Sequence, residues 1–271
     1  MTPPPVTPLA EPRGPSNLTL RIIVGIALVA VALTGVVLGG IAFWLLCVVL
    51  GIVMMGEWAG LQSAPNETKR LAQYALSVPL AIMAPVIGAG AGFLTLGLLI
   101  GAGFFVVIVT GRRGLAQGIF YVGLPIMALL VIRRQDEGIL FTLWALALVW
   151  ACDIGAYAAG RVIGGAKIAP AISPNKTWAG LGGGVLAAGL FAAFLHYRYG
   201  LPVRMTLATP VLAVLAQAGD FYESWLKRRA GVKDSGSLLP GHGGVLDRLD
   251  GLVPVAPVAA LLVLLPKVYW W

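Results

Sequence analysis

Charge is scarce in this sequence. Only 11% of its 271 residues are Asp, Glu, Lys or Arg, against about 25% in a soluble globular chain. So few charges could not cover the surface of a soluble domain of this size. Cysteine is scarcer still: Cys47 and Cys152 are the only two. Both lie inside apolar segments and no CxxC pair occurs, which argues against a disulfide framework and a thiolate metal centre. No GxxxxGK[ST] run precedes a helix, so there is no P-loop. Nor do the two halves show the paired broken helices of an inverted-repeat transporter.

Apolar residues fill the space that charge leaves. They make up 59% of the chain and fall into repeated stretches near the ~20 residues that cross the hydrocarbon core of a bilayer. The stretches run roughly over 20–38, 41–58, 71–88, 92–110, 117–132, 139–158, 180–197, 206–223 and 252–267. The expected fold is therefore all-α: a polytopic transmembrane protein of about nine spanning helices, with short cytoplasmic polar loops forming the active site. The 36 glycines suit helices that pack backbone to backbone in lipid. Several of the 8 Trp and 7 Tyr stand near segment ends, at the level of the headgroups. Three regions follow: a disordered Pro-rich tail at 1–18, N-terminal transmembrane helices at 19–149 and a C-terminal catalytic transmembrane region at 150–271.

The formal net charge is +8. In a chain of short loops between apolar segments, this excess reads as topology and as attraction for anionic lipid or an anionic substrate, not for nucleic acid. With the N-terminus inside, nine helices put 14 Lys and Arg on the inner side; Arg133, Arg134, Arg198, Arg204 and Lys267 make 5 on the outer. That bias places the two largest polar loops, 159–179 and 224–251, in the cytoplasm.

Those loops carry the chemistry. In the first, Asp153, Tyr157 and Arg161 recur every four residues and share one helix face near the membrane edge. Charge at that depth is costly and is usually paired and functional; an Asp–Arg bridge between turns is the structural alternative. Lys167 follows, then Ser173-Pro174-Asn175-Lys176-Thr177, whose hydroxyls and lysine on a Gly/Pro-shaped turn suit phosphate. In the second, Asp220, Glu223, Ser224 and Lys227 lie on one helix face, and Arg228, Arg229 and Lys233 follow at the surface. Asp247 and Asp250, three apart, return beside them. Carboxylates near a basic patch suit Mg²⁺, which commonly binds through one or two carboxylates plus substrate phosphates. Metal and Lys/Arg together neutralise a nucleotide's phosphates. His242, within Gly241-His242-Gly243-Gly244, could bind phosphate, move a proton or shape the loop. His196 reads as an interfacial residue. Glu57, beside Trp58 near a helix end, has no role that the sequence assigns.

The run Ser224–Asp250, with S-x-x-K-R, K-D, P-G-H-G-G and D-R-x-D in order, resembles the signature of the phosphatidate cytidylyltransferases, or CDP-diacylglycerol synthases. The G-D-x-x-E-S at 219–224 and D-x-G-A-Y-x-x-G-R at 153–161 resemble the same family. One segment departs: the family commonly reads S-P-K-K-T-W-E-G where this chain has Asn175 and Ala179. The resemblance implies Mg²⁺-dependent joining of CTP and phosphatidate into CDP-diacylglycerol and pyrophosphate, in a bacterial inner membrane and as a homodimer. It implies Asp220 and Asp247 as metal carboxylates with Asp250 close by, and K⁺ as a second ion. Ser173, Lys176, Ser224 and Lys227 would belong to the same polar centre. Lys176, Lys227, Arg228, Lys233 and His242 are the candidates for the phosphates of CTP. A lipid or polyprenol kinase would also use nucleotide and Mg²⁺, but the 224–250 run argues against it.

Overall fold

A computed structural model of the chain describes residues 17–86, 88–239 and 241–268. Its elements are α1 (Asn17–Leu38), α2 (Gly40–Leu61), α3 (Asn66–Ile82), α4 (Phe93–Thr110), α5 (Arg113–Arg133), α6 (Gly138–Val162), β1 (Lys167–Ala169), β2 (Ser173–Thr177), α7 (Trp178–Tyr199), α8 (Val203–Arg229), α9 (Leu246–Leu249) and α10 (Leu252–Val268). The Pro-rich tail expected at 1–18 lies outside the described residues, apart from the first turn of α1.

Of these helices, α2, α4, α5, α6 and α7 are long and apolar enough to cross a membrane; Ile22–Leu38 and Leu252–Leu265 are shorter apolar helices. The expectation of about nine spans thus corresponds to five on length and composition among the described residues. Two expected spans fall short for opposite reasons. α3 starts early, on the polar run from Asn66, and stops at Ile82, ahead of Pro85 and the glycines at 88, 90 and 92. α8 does not stop at 223 but carries its polar face on to Arg229. The all-α expectation needs one amendment: β1 and β2 form a two-stranded antiparallel sheet, with Lys167 opposite Thr177 and Ala169 opposite Ser173. The Ser173–Thr177 segment is therefore a strand, not a turn.

The buried core is apolar, built around Trp58, Leu76, Leu99 and Ile119 in one cluster and Trp144, Leu148, Met205 and Leu212 in a second. Trp144 buries its ring N–H by donating to Thr209 Oγ1 at 3.0 Å, as a buried indole requires. Large apolar side chains also face outward: Phe93, Phe104 and Ile108 on α4, Leu186 and Leu190 on α7, Leu207 and Val211 on α8. In water so much exposed apolar surface would drive association; hydrocarbon is its natural solvent.

Successive connections gather at opposite ends of the bundle. At one end Arg133 Nε donates to Val36 O at 2.6 Å, joining the α5 terminus to the α1–α2 turn. At the other, Arg112 Nη1 donates to Ser63 O, Lys176 on β2 meets Gln217 on α8, and Glu57 at the end of α2 meets the segment before α9. Both polar loops belong to this second end.

Candidate active site

α6 and α7 make a close seam because small residues face each other across it. A Cβ on Gly155 would lie 2.6 Å from Gly183 O, and one on Gly184 would lie 2.8 Å from Cys152 O. Only glycine permits such approach. α7 starts from Thr177, whose hydroxyl accepts the Gly180 N–H at 3.0 Å, a side-chain cap that ends β2 and fixes Lys176 two residues before the helix.

A cavity of about 290 Å³ opens there. It is lined by Asp153, Ala156 and Tyr157 of α6, Asn175, Lys176 and Thr177 of β2, Gly180 and Leu181 of α7, and Gln217 and Asp220 of α8. Lys176 forms an ion pair with Asp220 and donates to Gln217 Oε1 at 2.9 Å. Gln217 Nε2 donates in turn to Asp153 Oδ1 at 3.1 Å. One buried amide therefore links the lysine to a carboxylate of another helix. Ser224 Oγ donates to Asp220 Oδ1 at 3.3 Å. A larger cavity, of about 400 Å³, lies between α1, α6 and α7, but its walls are apolar and aromatic, including Leu33, Leu140, Trp150 and Phe191.

Asp250 joins the same negative region. A Cβ on Gly219 would lie 2.5 Å from Asp250 O and 2.7 Å from the Pro254 ring, so glycine before Asp220 lets the chain ahead of α10 pass close by. Burial, then the negative charge of Asp220, pushes the Asp250 carboxyl up to about 7, although the Gly251 N–H and Lys227 pull the other way. A carboxylate cluster under mutual repulsion, with Lys176 as the lysine lining its cavity, suits a divalent cation. Among the described residues no three His, Cys, Asp or Glu side chains converge on one ion.

A second polar knot lies beside it. Lys227 Nζ donates to Asp247 Oδ1 at 2.6 Å and faces the buried Glu223 Oε1 at 3.2 Å. Asp247 Oδ2 accepts the Ser235 N–H at 2.9 Å, the Ser235 hydroxyl at 2.9 Å and the Gly244 N–H at 2.8 Å. Burial pushes the Asp247 carboxyl up, but Lys227 and these donors outweigh it and hold it below the usual carboxylate range.

The structure thus brings Lys176 and Asp220 together in the cavity wall, with Ser224 bonded to Asp220 behind it, Asp250 next to them, and Lys227 with Asp247 in the adjoining knot. It does not bring in every candidate. Ser173 stands at the far end of β2, opposite Ala169, outside the cavity lining. Arg228 and Lys233 are exposed at the surface. His242 turns toward α1, where a Cβ on Gly25 would lie 3.6 Å from its Nε2, and its buried Nδ1 has no hydrogen-bond partner. The structural alternative, an Asp153–Arg161 bridge, does not form among the described residues: Arg161 Nη1 donates to the Tyr157 hydroxyl at 3.0 Å, and Asp153 accepts from Gln217. Gln217 was missed from sequence, although an amide one turn before Asp220 in an apolar helix is a signal that was there to read. Asn175, one of the two departures from the family pattern, lines the cavity.

The chain is similar to known proteins along nearly its whole length. The model of the cytidylyltransferase family matches residues 19–265. A phosphatidate cytidylyltransferase of Brucella suis biovar 1 is 43% identical over 259 residues, covering 91% of this chain and 93% of the relative. The enzymes of that name from Rickettsia bellii and Rickettsia prowazekii are 30% and 29% identical, over 92% and 89% of this chain and 92% and 90% of the relatives.

Proposed function

The chain belongs to the cytidylyltransferase family, and on that premise we propose that it transfers a cytidylyl group from CTP to phosphatidate, giving CDP-diacylglycerol and pyrophosphate. The observation that carries the reading is the cavity where Asp153 and Asp220 face Lys176 at the polar end of an apolar bundle. A nucleotide reaches that end from water, and a lipid phosphate reaches it sideways from the bilayer.

In this reading a phosphate oxygen of phosphatidate forms a bond to the α-phosphorus of CTP. The bond from that phosphorus to the bridging oxygen breaks, and pyrophosphate leaves in line. The nucleophile is already an anion near neutral pH, so no strong general base is needed. The obstacle is repulsion between two anions, which positioned cations relieve. Lys176 and Lys227 are the cations held in place for this, by Asp220 and Gln217 and by Asp247 and Glu223. Arg228, Lys233 and His242 would act on phosphates reaching out of the cavity, and Ser173 from the far end of β2. Asp220 and Asp247 would hold Mg²⁺ with Asp250 beside them, and K⁺ would sit next to it. The divalent ion supplies charge neutralisation of the phosphates.

The proposed setting is a homodimer in a bacterial plasma membrane with the site facing the cytoplasm. The 14-to-5 split of basic residues and the bacterial sources of the relatives support it. The test is purified protein in lipid, given labelled CTP, phosphatidic acid and Mg²⁺, with CDP-lipid and pyrophosphate measured. No product refutes the function. Product from ATP and a polyprenol, in place of CTP and phosphatidate, would favour a kinase.

A further inference from the structure

Glu57 belongs to the N-terminal half, which contributes no side chain to the cavity lining. Yet it is buried at the end of α2, and its carboxylate accepts two backbone donors from a segment almost two hundred residues away. Val245 N–H donates to Oε1 at 3.0 Å and Leu246 N–H to Oε2 at 2.7 Å. Asp247 takes the Gly244 N–H at 2.8 Å. The two carboxylates thus hold three consecutive N–H groups, 244, 245 and 246. Ser235 stands between them. Its hydroxyl lies 2.9 Å from Asp247 Oδ2 and 3.4 Å from Glu57 Oε2, so its one proton goes to Asp247.

The glycines of this segment follow from the same carboxylate. A Cβ on Gly236 or on Gly244 would lie 2.7 Å from Glu57 Oε1. Gly243 has φ +80°, and a Cβ there would lie 2.7 Å from Asp247 Oδ2. The chain wraps Glu57 on one side and Asp247 on the other, and at Gly236, Gly243 and Gly244 the carboxylates leave no room for a Cβ.

We propose that Glu57 is a positioning residue for the site: by accepting the Val245 and Leu246 N–H groups it sets the path of the chain into Asp247 and Asp250. It touches neither substrate and acts through that segment. Its consequence for turnover rests on the cytidylyl-transfer reading above. A carboxylate is required because the two N–H groups approach different oxygens. Glutamine would accept one and turn an NH₂ toward the other, leaving a buried donor unpaired.

The test combines amide hydrogen exchange with kinetics on the full-length protein in lipid. In wild type, peptides spanning 241–250 are expected to exchange slowly. In Glu57→Gln they should exchange about tenfold faster, while α6 and α7 peptides do not change. The kcat for CDP-lipid should fall by about 10²-fold, the scale of a misplaced catalytic constellation, with KM for CTP nearly unchanged. Glu57→Asp keeps both oxygens and should restore part of the protection and part of kcat. Fast exchange of 241–250 in folded wild type overturns the proposal, an outcome that needs no variant to fold. So does Glu57→Gln with unchanged exchange, faster exchange with full turnover, or Glu57→Asp no better than Glu57→Gln. Wild-type protein that makes no CDP-lipid refutes the functional reading instead, and exchange alone then decides whether Glu57 holds the segment.

Discussion

Lys227 Nζ stands 2.6 Å from Asp247 Oδ1, so the last turn of α8 and the short helix α9 are joined through one buried ion pair. The same ammonium also faces Glu223 at 3.2 Å. The side chains of Lys227, Asp247 and Glu223 are 13%, 4% and 0% exposed, so removing the lysine leaves the Asp247 carboxylate without its cation, away from water. Breaking a buried pair from one side costs about 3–5 kcal/mol. Lys227→Met should lower the thermal unfolding midpoint in detergent accordingly, whereas Arg228→Ala, one residue on but exposed, should stay within about 0.5 kcal/mol of wild type. Equal effects of the two would count against the buried pair.

Asp250 offers a readout of the proposed Mg²⁺ binding that does not depend on turnover. Burial and the charge of Asp220 hold its carboxyl up near 7, so at neutral pH it carries part of a proton in the metal-free protein. A divalent cation among these carboxylates favours the charged form and lowers that value, so binding must release protons. Calorimetric titration of Mg²⁺ in buffers of different ionisation enthalpy should show fractional proton release at pH 7. In Asp220→Asn the neighbouring charge is gone, Asp250 starts lower, and the release should shrink. Proton uptake, or a release independent of Asp220, would be inconsistent with this arrangement.

Asp247 behaves in the opposite sense. Its folded carboxyl lies below the usual range despite burial, because Lys227 and the donors of Gly244 and Ser235 favour the anion. A depressed carboxyl contributes stability that is fully present above its unfolded value, about 3.9, and lost as pH falls through the lower folded value. The difference in unfolding midpoint between wild type and Asp247→Asn should therefore hold from pH 7 to pH 5 and shrink only below about pH 4. A difference that already collapses between pH 7 and 5 would mean the carboxylate is not held as described. In the same variant cytidylyl transfer should fall by about 10²-fold or more while membrane insertion persists.

What the sequence made legible follows from how local each signal is. Apolar length and glycine breaks marked where the long helices lie, because lipid-facing helices are specified by composition over one window. Asp220, Ser224 and Lys227 were placed on one face because a single helix carries them, and α8 does carry them, past its expected end. The pairing of residues from different elements was not legible. Arg161 was the partner of Asp153 that the sequence offered, and only the crossing of α6 and α8 brings in Gln217 instead. Glu57 was visible but without a role, since its partners are backbone N–H groups at Val245 and Leu246, which no residue pattern advertises. The β1–β2 pairing was hidden because Pro174 and Asn175 weigh against a strand. Eight residues at the edge of a helical bundle pair all the same.

The seam between α6 and α7 gives a prediction with its own control at Gly182, the residue next to the seam's Gly183. Gly183 presses its carbonyl against Gly155, leaving 2.6 Å for any Cβ on Gly155, and the obstacle is backbone, which cannot rotate aside. Gly182 faces open space, with nothing within 4 Å of an added Cβ. Gly155→Ala must therefore push the helices apart, at about 1–3 kcal/mol for overpacking. Gly182→Ala gains the helix propensity of alanine, about 0.5–1 kcal/mol. Activity should follow the first change and not the second, because α6 carries Asp153 while β2 and α7 hold Lys176, and the cavity exists only while that seam is closed. Thermal unfolding and CDP-lipid formation, measured on both variants, check this together: a Gly155→Ala protein as stable and as active as wild type would show that the close approach of α6 and α7 is not what shapes the site.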